Sequence, residues 1–167
     1  EAGRHVCYEV PMGGASPVGS VGFIEGYVEL EKQLSAMDIQ ADYVFHATGT
    51  GGTMAGLAAG RNLVGSETGI ISINVSAKDP EYPKRTAALA NESLKLIGAG
   101  ITVDAERDIF TFLNYFLPGY GLPNDAASEA MKLLGVKEGL LTDPVYTGKA
   151  FAGMLDYIRT KKVPAGS

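Results

Sequence analysis

The sequence predicts an α/β fold in which a mainly parallel sheet is covered by helices on both faces. Short apolar segments of strand length alternate along the chain with amphipathic segments of helical period. The apolar segments are rich in isoleucine and valine and do not alternate strictly with polar residues, which is typical of strands buried on both faces. The amphipathic segments between them are long enough to serve as the crossovers that parallel strands require.

Composition narrows the class of protein further. The chain has 167 residues, of which 46% are hydrophobic and 20% charged, and this predicts one soluble globular domain. A net charge of -5 argues against a nucleic-acid surface, and no apolar run is long enough to span a membrane. The single cysteine, Cys7, rules out an internal disulfide and favours a reducing, cytoplasmic location. Its apolar neighbours predict a small buried core residue.

The first half of the chain contains three predicted strands and two predicted helices. Residues 6–10 form a short apolar strand, and Ser16 followed by Pro17 is a strong helix start. The helix of about five turns that follows has one apolar face. Strands are predicted at 43–47 and 69–75, with a helix between them at about 53–63.

The second half repeats this alternation. Asp79 and Pro80 are predicted to begin a helix that ends at Gly98, and residues 101–104 form a short strand. Residues 110–121 carry a cluster of aromatic side chains, which is predicted to be core. Asn124 or Asp125 caps a helix that runs to about residue 134, and residues 139–142 form a strand. Phe151, Met154, Leu155 and Ile158 form the apolar stripe of a last helix.

Residues 49–53, Gly-Thr-Gly-Gly-Thr, lie between a predicted strand and a predicted helix. Glycines leave the backbone N–H groups accessible, and the helix N-terminus and threonine hydroxyls favour a bound dianion. Leu57 occupies the position where a Walker loop needs lysine, and Met54 breaks the dinucleotide pattern. A glycine turn without a ligand is the remaining alternative. Segments 11–16, 48–53 and 143–149 each follow a predicted strand, so they are expected to converge at one sheet edge.

Four side chains outside the glycine loop are candidates for chemistry. Tyr120 lies between two glycines, and Tyr146 precedes Thr-Gly-Lys; each is either a site residue or a loop tyrosine that covers the core. His46 is predicted to be a strand residue whose ring bonds the backbone. Lys149 is a candidate cofactor-binding lysine, although a lysine in the first turn of a helix is usually a solvated charge. With two histidines and one cysteine, a histidine-based metal site has little material.

Three motifs resemble one enzyme family. They are Gly-Thr-Gly-Gly-Thr-Met-Ala-Gly-Leu at 49–57, Pro-Gly-Tyr-Gly-Leu-Pro-Asn-Asp at 118–125 and Leu-Thr-Asp-Pro-Val-Tyr-Thr-Gly-Lys-Ala at 141–150. Their order and spacing closely resemble the D-cysteine desulfhydrase and 1-aminocyclopropane-1-carboxylate deaminase family. These are fold-type II, tryptophan-synthase-β-like enzymes that depend on pyridoxal 5′-phosphate. The turn at 13–17 is also similar, so the resemblance covers nearly the whole chain.

The resemblance implies a cofactor, a reaction and roles for individual residues. Thr50, Gly51, Gly52 and Thr53 would bind the phosphate of pyridoxal phosphate, and Tyr120 and Tyr146 would be the catalytic tyrosines. The expected reaction converts D-cysteine into pyruvate, sulfide and ammonia. Thr147 would determine substrate specificity. The deaminases tend to have glutamate at that position, so threonine favours the desulfhydrase branch, with deaminase or cysteate sulfo-lyase activity as alternatives.

Two departures from the family pattern predict a fragment. The family's Schiff-base lysine precedes a small domain in a chain about twice as long, and no matching segment is present here. The family also continues into another strand and a His-Thr-Gly-Gly-like turn, whereas this sequence ends at residues 164–167, Pro-Ala-Gly-Ser. Residues 1–167 are therefore expected to be the C-terminal part of the large cofactor-binding domain, without most of the small domain and without the extreme C-terminus, and inactive alone. The full-length protein from which this chain would come is expected to be a homodimer. A non-catalytic phosphate-ligand module and, more distantly, a nicotinamide-dependent enzyme remain as other classes.

Overall fold

A computed structural model describes residues 7–77, 79–112, 115–160, 162–164 and 166. Its sheet has three parallel strands in the order β1-β2-β3, with β1 at Tyr43–Thr48, β2 at Gly69–Asn74 and β3 at Phe110–Phe112. Tyr43 lies opposite Gly69, and Ile71 lies opposite Phe110. The parallel pairing confirms the α/β class that the alternating segments predict.

The described residues form five α-helices, which pack on the two faces of this sheet or against one another. A short 3-10 turn at Met12–Gly14 precedes the first of them. The helices are α1 at Pro17–Ala36, α2 at Gly52–Val64, α3 at Tyr82–Leu96, α4 at Asp125–Glu138 and α5 at Thr147–Arg159. Within the part of the chain that the structure describes, no helix is both long and apolar enough to cross a membrane.

The core has one cluster on each face of the sheet. Helices α1, α2 and α3 pack together on one face, where Tyr27, Met54 and Ile70 are fully buried. On the other face α5 packs against β1 and β2 around Ile73 and Tyr157, and α4 packs against α5. Helices therefore cover both faces, as the apolar strands require.

Helices α1 and α2 approach each other through glycines. A Cβ atom at Gly56 would lie 2.4 Å from the carbonyl oxygen of Ser20, and one at Gly60 would lie 2.7 Å from the Cβ of Tyr27. Both distances are shorter than a carbon atom can accept without displacing the neighbour. The glycines thus allow the backbone of α2 to pack directly against α1.

Two predicted helix caps are confirmed. The Oγ of Ser16 accepts a hydrogen bond from the backbone N–H of Gly19 at 3.1 Å, and Pro17 is the first residue of α1. The Oδ1 of Asn124 accepts one from the N–H of Ala127 at 2.7 Å. These side chains satisfy N–H groups that have no acceptor inside the helix. The helix α4 continues to Glu138, beyond the predicted end at residue 134.

Three predicted strands are wrong for the described residues. Residues 7–10 lie outside the sheet, Val6 lies outside the described residues, and Cys7 is exposed rather than buried. Residues 101–104 are not a strand because the N–H and carbonyl of Val103 bond the side chain of Asn91, at 2.7 and 2.9 Å. Residues 139–142 leave α4 through Gly139 with φ of 69°, and Leu141 is 94% exposed, without a sheet neighbour.

Two further predictions need correction. The Oδ1 of Asp79 bonds the N–H of Glu81 at 3.0 Å in a turn that precedes α3, so the helix begins at Tyr82 and not at the predicted Asp79–Pro80 pair. The aromatic segment contributes the unpredicted strand β3, and Phe110 and Tyr120 in this segment are exposed. Tyr120 is therefore not a core residue.

Candidate functional site

The glycine loop connects the carboxyl end of β1 to the N-terminus of α2. Gly51 has φ of 97°, and a Cβ atom there would lie 2.7 Å from the Oγ1 of Thr86, so both conformation and space require glycine. The first N–H groups of α2 have no acceptor within the helix. Thr50 and Thr53 are half-buried, and their hydroxyls form no hydrogen bond among the described residues. This combination of free N–H groups and hydroxyls fits a phosphate group.

The turn at residues 12–15 packs against this loop. A Cβ atom at Gly13 would lie 2.6 Å from the Oγ1 of Thr50, and one at Gly52 would lie 3.2 Å from the Cα of Ala15. The hydroxyl of Ser20 donates to the carbonyl of Gly52 at 3.2 Å. Two of the three segments predicted to converge at this edge, 11–16 and 48–53, are therefore in contact.

A guanidinium group lies on the other side of the loop. The Nη1 of Arg85 donates to the carbonyl of Thr50 at 3.1 Å, and its Nη2 forms an ion pair with the Oδ2 of Asp79 at 2.6 Å. Sequence reasoning missed this residue because the positive charge belongs to α3, which follows the next strand. Because Asp79 balances its charge, Arg85 acts on the loop chiefly through the hydrogen bond that holds the carbonyl of Thr50.

The structure brings Tyr120 and Tyr146 together. Their hydroxyl groups form a hydrogen bond, and their rings lie edge to face with centroids 6.1 Å apart. Tyr120 is 57% exposed and Tyr146 is 43% exposed, so neither covers the core. The hydrogen bond with Tyr120, followed by burial, raises the pKa of Tyr146. A neutral phenol is thereby favoured at position 146.

Asp143 organises the turn that carries Tyr146. Its Oδ1 accepts from the N–H groups of Val145 and Tyr146 at 2.8 and 2.7 Å, and its Oδ2 accepts from the N–H of Thr147 at 3.0 Å. Burial opposes ionisation of Asp143, but the hydrogen bonds from Thr147, Tyr146 and Val145 outweigh it and lower the pKa of the carboxyl group. Asp143 has no role among the sequence-based predictions, although an aspartate before proline is a known turn signal.

Thr147 lies beside Tyr146 as the first residue of α5. Its hydroxyl donates to the Oδ2 of Asp143 at 2.6 Å and accepts from the N–H of Asp143 at 3.0 Å. The side chain is exposed, yet its hydroxyl is engaged with Asp143. Any effect of Thr147 on substrate choice would therefore involve its methyl group or its bond to Asp143.

The direction of α5 brings this turn to the same edge of the sheet as the loop. Near its C-terminal end, Tyr157 packs against Phe45 with ring centroids 5.7 Å apart, and one turn earlier Gly153 packs against Ile73. The helix therefore runs opposite to the strands, and its N-terminus lies toward their carboxyl ends. The loop extends from the face covered by α2, whereas the tyrosines lie on the side of α5.

Lys149 is a clear exception to the sequence prediction. Its side chain is fully buried, and its Nζ donates to the carbonyl oxygens of Phe116 and Gly119 at 3.3 and 3.1 Å. Burial lowers the pKa of its ammonium group. The expectation that Lys149 is a solvated charge is wrong, because two carbonyl groups from a distant segment converge on it.

His46 has the structural role that its position predicts. Its Nδ1 lies 2.9 Å from the carbonyl oxygen of Ala47, and its Nε2 lies 3.4 Å from the Sδ of Met54. Burial lowers the pKa of His46 to about 4, so the ring is neutral near pH 7. Among the residues that the structure describes, no group of histidine, cysteine or acidic side chains is arranged to hold a metal ion.

The fold and the loop first define a class: an α/β protein with a doubly covered parallel sheet and a loop of the phosphate-binding type at its carboxyl edge. The chain belongs to the family described as pyridoxal-phosphate dependent enzymes, whose profile matches residues 7–167. This membership confirms the cofactor expected from the sequence. The free N–H groups and threonine hydroxyls of the loop fit the phosphate of that cofactor.

Two kinds of relative support the narrower resemblance. The D-cysteine desulfhydrases of Salmonella paratyphi C and Salmonella choleraesuis are each 39% identical over 155 residues, which is 93% of this chain and 46% of theirs. A crystal structure described as an ACC deaminase homologue superimposes with a TM-score of 0.80 at 29% identity, over 92% of this chain and 45% of that one. The chain thus spans about half the length of the relatives it matches.

Proposed function

We propose that the full-length protein containing this chain is a pyridoxal-phosphate-dependent lyase that converts D-cysteine into pyruvate, sulfide and ammonia. The observation that carries the proposal is the hydrogen-bonded pair Tyr120 and Tyr146, on the same sheet edge as a loop suited to phosphate. Two phenol groups in contact can orient an amino-acid substrate and transfer a proton. The similarity to D-cysteine desulfhydrases over 93% of this chain supports the choice of substrate.

We assign the phosphate of the cofactor to Thr50, Gly51, Gly52 and Thr53. The backbone N–H groups at the start of α2 would donate to the phosphate oxygens, together with the two threonine hydroxyls. When bound, the pyridine ring of the cofactor accepts the electrons left by removal of the substrate's α proton. The chain's own contribution at this loop is binding and orientation.

The two tyrosines would act on the substrate. The Tyr146 phenol is neutral near pH 7, as phenols ordinarily are, and the hydrogen bond with Tyr120 raises its pKa further. Its hydroxyl can therefore donate a hydrogen bond, or give a proton to a strongly basic group. The bond between the two hydroxyls lets Tyr120 orient that proton. Both side chains are exposed, so they are accessible to a substrate.

Thr147 supports the desulfhydrase branch of the family over the deaminase branch. One of the four hydrogen bonds that Asp143 accepts comes from the Thr147 hydroxyl, and a glutamate at this position would replace that donor with a second carboxylate beside Asp143. The alternative within the same site is activity toward aminocyclopropane-carboxylate or cysteate.

We infer that the chain is the C-terminal part of a large cofactor-binding domain and is inactive alone. The resemblance places the Schiff-base lysine in a segment that this chain does not match, and Lys149 is buried against carbonyl groups. The chain by itself would then have the second candidate function, which is to bind a phosphate-containing ligand without catalysis. A cytoplasmic homodimer is proposed for the parent, and sedimentation of the full-length protein would test the dimer.

The deciding experiment measures sulfide and pyruvate together after D-cysteine is added to the full-length protein. Equal amounts of both products support the proposal. Pyruvate is absent if the protein only binds the cofactor, and turnover of aminocyclopropane-carboxylate or cysteate in preference to D-cysteine selects the alternatives. For the 167-residue chain, borohydride reduction with pyridoxal phosphate and intact-mass analysis should give no stoichiometric adduct at one lysine.

A further inference from the structure

Lys149 is buried without an acidic partner. Its side chain has no exposed surface, and no carboxylate among the described residues accepts a hydrogen bond from its Nζ. The two acceptors are the backbone carbonyls of Phe116 and Gly119. A fully buried position in a helix is usually occupied by a hydrophobic residue, which could not donate hydrogen bonds to these two carbonyls.

This placement is unfavourable by two independent criteria. A buried ammonium group loses its hydration, and carbonyl groups compensate for this loss less completely than a carboxylate. Lys149 is also the third residue of α5, where the positive end of the helix dipole disfavours a cation. A residue that breaks local rules in this way commonly serves a functional site.

The contacts of Lys149 connect the two segments that carry the tyrosines. Phe116 and Gly119 belong to the turn that leads into Tyr120, and Gly119 is its immediate neighbour. Tyr146 precedes α5 as its N-cap, one helical turn before Lys149. The lysine side chain thus spans from the helix of one tyrosine to the backbone of the other.

We propose that Lys149 is a positioning residue that fixes the Tyr120 hydroxyl against the Tyr146 hydroxyl. Its ammonium group holds the carbonyls of residues 116 and 119, which sets the direction in which Tyr120 leaves the turn. The effect on turnover rests on the proposed function, whereas the effect on tyrosine geometry does not. The same contacts argue against Lys149 as the amine that attaches the cofactor, because an attached amine would have to leave both carbonyls.

The geometry is tested by fluorine NMR on the full-length protein with 3-fluorotyrosine at position 120. With Lys149 unchanged, Tyr146→Phe should shift the fluorine resonance, because it removes the hydroxyl that is hydrogen-bonded to Tyr120. In a Lys149→Met background that shift should be lost, while in a Lys132→Met background it should remain, since Lys132 is an exposed lysine of α4. A Tyr146-dependent shift that persists in Lys149→Met would overturn the proposal.

Kinetics supply a second, separate criterion. Lys149→Met should lower kcat for D-cysteine by about tenfold to a hundredfold, because a small displacement of a catalytic group costs that much. In a Tyr120→Phe background the same substitution should lower kcat by less than about twofold, because both changes remove one interaction. Equal losses in both backgrounds would refute the positioning role.

Two further controls keep the test decisive. If Lys149→Met does not fold, Lys149→Leu, which also lacks a side-chain N–H donor, is subjected to the same criteria. If the unsubstituted full-length protein does not turn over D-cysteine, the proposed function fails. The fluorine measurement then still decides whether Lys149 positions Tyr120.

Discussion

The hydroxyl of Tyr120 is hydrogen-bonded to the hydroxyl of Tyr146, although 26 positions of sequence separate them. Each belongs to a different segment, one a turn before α4 and the other the N-cap of α5. Two more residues contact the backbone next to this pair: Asp143 accepts a hydrogen bond from the N–H of Tyr146, and Lys149 donates one to the carbonyl of Gly119. The tyrosine pair is thus a product of tertiary structure.

Replacement of Tyr146 by phenylalanine should lower kcat of the full-length protein by about a hundredfold, the usual loss when a general acid or base is removed. Cofactor affinity, measured by absorbance titration, should change little because the ring remains. Tyr8→Phe serves as the control, since Tyr8 is 80% exposed. Unchanged turnover in Tyr146→Phe would remove this residue from the mechanism.

Replacement of Asp143 by asparagine should reduce the free energy of unfolding by about 1–2 kcal/mol, because an amide nitrogen cannot accept the N–H of Thr147. Chemical denaturation of the 167-residue chain measures this change. Asp42→Asn is the matched control at an exposed aspartate that has no side-chain partner among the described residues. Equal stabilities for the two variants would contradict the role assigned to Asp143.

Stability should also fall in acid through Asp108. Burial opposes its ionisation, but hydrogen bonds from Arg107, the N–H of Asp104 and Asn62, with the charge of Arg61, lower the pKa of Asp108. A carboxyl group whose pKa is lower in the folded state stabilises fully above its unfolded pKa, roughly 3.9, and this contribution is lost as pH falls below it.

Thermal unfolding between neutral pH and about pH 3 checks this dependence. The melting temperature of Asp108→Asn should start lower and decrease less with acid than that of the parent chain. Asp42→Asn should follow the parent curve. Parallel curves for Asp108→Asn and the parent would show that Asp108 does not carry the acid sensitivity.

Replacement of Gly51 by alanine should weaken binding of pyridoxal phosphate to the full-length protein by about tenfold. A positive φ costs a residue with a side chain about 1–2 kcal/mol, and the added Cβ would displace Thr86. Gly22→Ala in α1, where a Cβ meets open space, should leave affinity unchanged. Undiminished affinity in Gly51→Ala would mean that the loop does not contact the phosphate.

Features encoded by neighbouring residues were predictable from the sequence. Ser16 and Asn124 have side chains that cap the helix directly after them, so no tertiary information is needed. The glycine loop combines a strand end, positive φ and a helix start within a few positions. Strand β2 was recognisable because burial on both faces leaves a continuous apolar signal, and β1 because it is a short apolar segment directly before the glycine loop.

Features that depend on distant partners were not predictable. The backbone of Val103 bonds Asn91 of α3, so an apolar segment that suits a strand lies outside the sheet. Lys149 is buried because carbonyls 30 and 33 positions away converge on it. Strand β3 has three residues, too few to produce a clear periodic signal. For Val103 and Lys149 a long-range contact overrides the local preference, whereas β3 is too short for a local preference to be read.

The close approach of α1 and α2 has a consequence for how binding can be lost. Gly60 lies about 12 Å along α2 from the loop, at 1.5 Å per residue, yet it permits the contact that fixes the axis of this helix. A larger residue there would tilt α2 and move the N–H groups at its other end. Random mutagenesis scored by retention of pyridoxal phosphate should therefore recover two spatially separate classes of defective clone, one at the ligand and one at this helix crossing.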